Sequence, residues 1–164
     1  MNYYKIYSNK TDMWSTPQNI YSYFLDKGYK DFNPLVENYK NSLALSYDNY
    51  FCNPPFSNIE PFVDYMISCV RSGFKCVMLL PVRTCSLWFI KLLNFGCDFC
   101  FVGRVKYSGK NFAPFDSMLV QLIGNDINHF CYNREFKSYS NYDGGYVKLN
   151  IFDFMECDSN EYKR

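Results

Sequence analysis

The sequence predicts an α/β fold in which helices cover one largely parallel sheet. Three observations carry that expectation. Strand-like and helix-like segments alternate between residues 16 and 123, the pattern of helices packed on a parallel sheet. Lys75 to Leu80, KCVMLL, is an apolar run of the kind found in strands buried on both faces. The first two helical segments start around a proline and stop at a glycine, the usual asymmetry of helix ends.

Thr16-Pro17 followed by QNIYSYFLDKG predicts the first helix, with Thr16 as capping hydroxyl, Ile20, Phe24 and Leu25 apolar, and Gly28 as terminator. Tyr29 to Asn33 reads as a short strand ending at Pro34, and Tyr47 to Cys52 as a second. Ser57-Asn58-Ile59-Glu60-Pro61 opens an amphipathic helix that presents Ile59, Phe62, Val63, Met66, Ile67 and Val70 on one face and closes near Gly73. After the KCVMLL strand, Thr84 to Phe95 reads as a helix, Cys97 to Val102 as a strand and Ser117 to Ile123 as the last one. The remainder, 124–164, is a polar and poorly periodic extension in which only Tyr146 to Phe154 suggests a further strand or hairpin.

At 164 residues and 19.5 kDa the chain reads as a single domain, 1–164, large enough for a continuous core. The first residues lack a basic stretch followed by an apolar run, and no segment reaches the roughly 18 apolar residues that span a bilayer. A soluble, cytoplasmic protein without membrane contact is expected. Eight cysteines, at 52, 69, 76, 85, 97, 100, 131 and 157, show no tight repeated spacing and read as reduced thiols rather than a disulfide frame. Cys97 and Cys100 form C-x-x-C, but in a strand they point to opposite faces, so no metal is expected there. A net charge of +1 gives no global attraction to phosphate, so nucleic-acid affinity must come from local patches.

Asn53-Pro54-Pro55-Phe56, at the end of the second strand, is the most informative stretch. Two prolines without N–H groups stop both helix and sheet. The Asn53 side-chain oxygen and the Pro54 carbonyl together offer two acceptors that can grip a planar exocyclic amine. Phe56 can then lie against the ring that bears it; the alternative is a rigid turn with Phe56 as a core aromatic. Withdrawing both amine hydrogens into hydrogen bonds returns lone-pair density to a weakly nucleophilic nitrogen, so positioned acceptors suffice without an ionised nucleophile on the protein. In an open parallel sheet, ligands bind beyond the carboxyl ends of the strands. That rule puts Asp31-Phe32-Asn33-Pro34, Asn53-Pro54-Pro55-Phe56 and Pro81-Val82-Arg83-Thr84 on one rim.

The tetrapeptide resembles the Asn/Asp-Pro-Pro-aromatic motif of methyltransferases that modify the amino group of adenine in DNA or RNA, or the amide of glutamine. The ordered series Trp14-Ser15-Thr16-Pro17, Asp31-Phe32-Asn33-Pro34-Leu35, Asn53-Pro54-Pro55-Phe56-Ser57, Leu79-Leu80-Pro81-Val82-Arg83-Thr84, Trp88-Phe89, Gly103-Arg104-Val105-Lys106-Tyr107 and Ala113-Pro114-Phe115-Asp116-Ser117 is similar to the small Dam-type DNA adenine methyltransferases of bacteriophages and prophages, over roughly 12–123. The resemblance implies a compact, shortened Rossmann-like methyltransferase sheet flanked by helices, S-adenosyl-L-methionine as cofactor and DNA as partner, with RNA adenine or protein glutamine as other acceptors. It also implies a host cytoplasm or viral factory as the setting. A member that keeps the fold as a nucleic-acid-binding or partner subunit, in a homo- or hetero-oligomer, is the competing reading. Under the resemblance Asn53, Pro54, Pro55 and Phe56 hold the target base, while Trp14, Thr16, Pro17, Asp31, Pro34 and Leu35 border the cofactor. Asp31 is expected to take the methionine amino group, or else to cap its turn; Trp14 to stack on the cofactor, or else to plug the core.

The chain departs from the wider methyltransferase pattern in two ways. No Gly-x-Gly follows the first strand, and DFNPL stands in its place. Only residues 32–52 separate Asp31 from Asn53, whereas a full βαβ unit takes about 30 residues. The strand that would present an acid to the cofactor ribose is therefore expected to be missing, with Glu37 or Asn38 as substitutes. Nucleic-acid contacts are expected from Arg83, which either clamps a phosphate or braces the Asn53 turn. Arg104, Lys106 and Lys110, interleaved with Tyr107 and Phe112, either track a phosphate backbone or form a solvated hairpin. His129, the only histidine, reads as structural, since one His supports no convincing catalytic constellation.

Overall fold

A computed structural model of the chain describes residues 14–32, 49–107 and 112–132. They form a six-stranded sheet with three helices. In chain order the elements are α1 (Gln18–Asp26), β1 (Tyr29–Asp31), β2 (Asn49–Cys52), α2 (Glu60–Arg71), β3 (Cys76–Pro81), α3 (Leu87–Phe95), β4 (Cys97–Gly103), β5 (Ser117–Leu122) and β6 (His129–Tyr132). The strands lie in the order β1-β2-β3-β5-β4-β6. Pairs β1·β2, β2·β3 and β4·β6 are parallel, whereas β5 runs antiparallel to both β3 and β4. The sheet is thus mixed, with one reversed strand set between two that share a direction. The expected alternation of strand and helix holds through β4. Beyond β4 the pattern changes, since β5 returns antiparallel to β4 and such a pair needs no crossover helix.

The helices form where the sequence places their apolar stripes. α1 buries Ile20 and Phe24, and Phe24 stacks on Phe51 of β2 with ring centroids 4.7 Å apart. Its N-cap is Pro17, without a side-chain capping bond, so the expected Thr16 cap is not made. The Pro17 carbonyl instead accepts from the Tyr21 amide at 2.9 Å, because the proline already fixes φ for entry into the helix. α2 carries a proline in its first turn and buries Phe62, Val63, Met66 and Cys69. α3 starts at Leu87, three residues after the expected Thr84, because residues 84–86 form a turn in which the Ser86 hydroxyl donates to the Arg83 carbonyl at 2.7 Å. Lys91 of α3 pairs with Glu60 and Asp64 of α2 at 2.8 Å each, an exposed bridge of small energetic weight. Gly96 stops α3 at φ +87 and lies so close to the next loop that a Cβ there would meet the Asp126 nitrogen at 2.6 Å.

All six residues of β3 are buried, as its unbroken apolar run predicts. Cys52, Cys69, Cys76, Cys97 and Cys100 are buried free thiols and Cys85 is an exposed one. No metal-binding cluster occurs among the described residues, and no helix among them is long and apolar enough to cross a membrane. β6 was not expected. It pairs with β4 from Asp98↔His129 to Phe101↔Tyr132, and His129 Nδ1 lies 2.7 Å from the largely buried Asp98 carboxylate. The Phe130 ring stacks on Phe99 at 5.1 Å. The only histidine therefore fastens an edge strand, in keeping with a structural role. Tyr146 to Phe154 lies outside the described residues.

Candidate active site

Parallel strands β1, β2 and β3 end on the same rim, and Asp31, Asn53 and Arg83 sit there. Asp31 is the last residue of β1 and pairs with Phe51; the next amide, Phe32 N, donates to the Phe51 carbonyl at 2.7 Å. Asn53 follows β2 directly. Arg83 lies two residues past β3, and its Nη1 donates to the Phe56 carbonyl at 3.2 Å. The structure thus gives Arg83 the bracing contact of the two roles weighed for it.

Around the turn an aromatic box closes on Phe56. Trp14 lies nearly parallel to Phe56, with centroids 6.5 Å apart and planes at 20°. Tyr107 and Phe115 meet the Phe56 ring edge-on, both at 5.5 Å, and meet Trp14 in the same way at 5.5 and 5.6 Å. Phe56 is 3% exposed as a result. Trp14, the half-buried member, is the one best placed to yield. The Tyr107 hydroxyl and Ser117 Oγ are 2.8 Å apart, and burial pushes the Tyr107 phenol well above its usual range. This anchors the box to the start of β5. The sequence offers Tyr107 only as part of the nucleic-acid contact stretch and does not single out Phe115, although both fall inside the motif series.

The Asn53 carboxamide is the polar centre of the turn. Its Nδ2 donates to the Trp14 backbone carbonyl at 2.5 Å, while its Oδ1 is sealed from solvent and meets no hydrogen-bond donor among the described residues. Leaving such an acceptor unpaired costs on the order of 1–3 kcal/mol, so a buried orphan oxygen at a strand end is a feature to be explained. Pro54 is buried and Pro55 half-buried, and the Pro55 carbonyl accepts from Asn58 N at 3.0 Å, which stiffens the bend.

Asp31 is exposed on its outer side, yet partial burial of its carboxyl raises its pKa. Its charge also adds to the burial that pushes up the Cys52 thiol. A carboxylate held at a strand end without full solvation suits a cationic partner. Of the other expected cofactor-bordering residues, Thr16 is half-buried and Pro17 buried, while Pro34 and Leu35 lie outside the described residues, as do Glu37 and Asn38. Arg104 Nε donates to the Ala113 carbonyl at 2.6 Å and Lys106 Nζ lies 4.9 Å from the Phe112 ring centroid. Both cations clip together the two arms of the loop that delivers Tyr107 and Phe115; Lys110 lies outside the described residues. A separate cavity of about 610 Å³, lined by residues that include Ile67, Arg71 and Phe95, lies between the C-terminal halves of α2 and α3, at the end of the sheet away from Asn53.

A family model described as DNA N-6-adenine-methyltransferase (Dam) matches residues 4–129. No curated protein and no solved structure matches the chain.

Proposed function

Because the chain belongs to the DNA N-6-adenine-methyltransferase (Dam) family, we propose that it transfers a methyl group from S-adenosyl-L-methionine to the exocyclic amine of an adenine turned out of the DNA helix. DNA adenine methylation is the general activity that the family carries. The observation that supports this site for it is the sealed, unpaired Asn53 Oδ1 at the proline-locked turn.

In this reading Asn53 Oδ1 and the Pro54 carbonyl each accept one hydrogen of the amine. Pro54 and Pro55 fix the spacing of the two acceptors, and Phe56 flanks the base once the Trp14 ring gives way. The cofactor supplies the sulfonium methyl. Asp31 takes its ammonium group, and Trp14, Thr16 and Pro17 border it. Pairing of the base amine with two fixed acceptors and exclusion of water by the aromatic box are the chain's own contributions. The base must leave the stack to reach them, at a cost of a few kcal/mol.

The small exposure of Phe56 favours one second reading, a family member that keeps the fold as a DNA-binding or partner subunit. Titration calorimetry with S-adenosyl-L-methionine separates the two. A Kd in the micromolar range, about 8 kcal/mol of binding, supports the enzyme; no heat at millimolar cofactor supports the scaffold.

Asp31 adds a pH signature to that titration. Its folded pKa is raised, so the charge that pairs with the ammonium is complete above that raised value and disappears as pH falls through it. Cofactor affinity is expected to weaken with acidification at a pH above the ordinary aspartate value of about 4, and Asp31→Asn should flatten the dependence. Equal slopes in both proteins would remove Asp31 from the cofactor site.

Arg83→Met tests the brace. With the Phe56 carbonyl released, kcat should fall about tenfold, because an error of about 1 Å in placing reacting groups is costly. The salt dependence of DNA binding should be unchanged. A salt slope reduced by about one would instead mark Arg83 as a phosphate contact.

A further inference from the structure

The two ends of the Asn53 carboxamide are treated differently by the fold. Nδ2 donates to the Trp14 backbone carbonyl across 39 positions of sequence, and Oδ1 has no donor among the described residues. Were the amide to turn over, its oxygen would face the Trp14 carbonyl, lone pair against lone pair, and its NH2 would face the site. We propose that the Trp14 carbonyl is a positioning group that locks Asn53 as an acceptor only, so that the turn admits a ring amine and rejects a ring oxygen at the same place. An unlocked amide could greet either group by turning over, and a site held in one sense discriminates far more sharply. The lock uses the Trp14 backbone carbonyl alone, so the Trp14 ring can turn aside for the base without releasing it. This inference rests on the reading of the turn as the adenine pocket and adds the source of its selectivity.

The carbonyl belongs to the backbone, so the probe is residue 53. Asn53→Asp keeps the shape and one acceptor oxygen but removes the donor. Ionised, it sets a carboxylate oxygen against the Trp14 carbonyl; protonated, its O–H donates to Trp14 and its other oxygen accepts from the amine. The titratable groups placed around the turn among the described residues are Asp31 on β1, Cys52 on β2, Arg83 after β3 and Tyr107 after β4. All four are shared with the wild type, so the ratio of variant to wild-type rate at each pH isolates residue 53.

Initial rates of labelled methyl transfer to unmethylated, adenine-containing DNA are measured for both proteins from about pH 5.5 to about pH 8, a span set to cover a raised carboxyl. The ratio is expected to fall about tenfold per pH unit above the variant's carboxyl pKa. A ratio independent of pH, with an active wild type, overturns the lock. The Asn53 side-chain amide protons give a readout that needs no activity: assigned by their disappearance in Asn53→Asp, they should exchange with solvent much more slowly than those of exposed asparagines. Free exchange overturns the lock as well. Slow exchange in a protein that transfers no methyl to DNA would keep the lock and remove the adenine reading.

Discussion

Asn53→Ala is expected to lower methyl transfer to adenine-containing DNA by about 10²–10³-fold, the usual consequence of deleting one preorganised polar group from a transition-state site. The folded state should scarcely notice. The substitution removes the Nδ2 bond to the Trp14 carbonyl, worth about 1 kcal/mol, and also removes a sealed oxygen without a partner, whose burial costs a similar amount. The two terms oppose each other, and denaturant unfolding should put the variant within about 1 kcal/mol of wild type. Labelled-methyl transfer and urea unfolding, measured on the same preparations, therefore separate a chemical role from a structural one. Full activity in Asn53→Ala would remove the residue from the pocket.

Phe51→Ala should have the largest effect on stability, about 3–5 kcal/mol by the usual cost of truncating a buried aromatic. Phe51 is 2% exposed and stacks on Phe24 of α1. Its backbone pairs with Asp31 on one side and Val77 on the other, so its ring packs α1 onto the middle one of three paired strands beneath the rim. Domain stabilities run from about 5 to 15 kcal/mol, so the variant should be marginally folded at best, and its cofactor binding should decline because β1 and β2 place Asp31 and Asn53. Urea midpoints provide the check. A loss below about 1 kcal/mol, the range of surface substitutions, would mean that α1 does not pack on β2 as described.

Wherever local pattern and long-range packing agree, the sequence was readable. The buried run of β3, the stripe of α2 and the bend after β2 follow from hydrophobic period and proline chemistry, and the rim follows from parallel strands sharing a direction. β6 was missed because HFCY is four residues long and draws its order from pairing with β4 and from the Phe99 and Phe101 rings, none of which lies nearby in the chain. The aromatic box was illegible for the same reason. Trp14, Phe56, Tyr107 and Phe115 come from four separate segments, and nothing local to Tyr107 or Phe115 announces that both rings turn toward Phe56. The Asn53 bond to a backbone carbonyl 39 positions away leaves no trace in residue types at all. Arg83 shows the limit of motif reading: an arginine at a strand end fits a phosphate clamp and a brace equally well, and only the contact with the Phe56 carbonyl favours the second.

The most direct measurement is the chemical identity of the product. Unmethylated DNA is incubated with the protein and S-adenosyl-L-methionine, digested to nucleosides and resolved by mass spectrometry. The account predicts N6-methyldeoxyadenosine with wild type and almost none with Asn53→Ala; a methyl group on cytosine alone, or no methylated nucleoside from a protein shown to bind the cofactor, would contradict it.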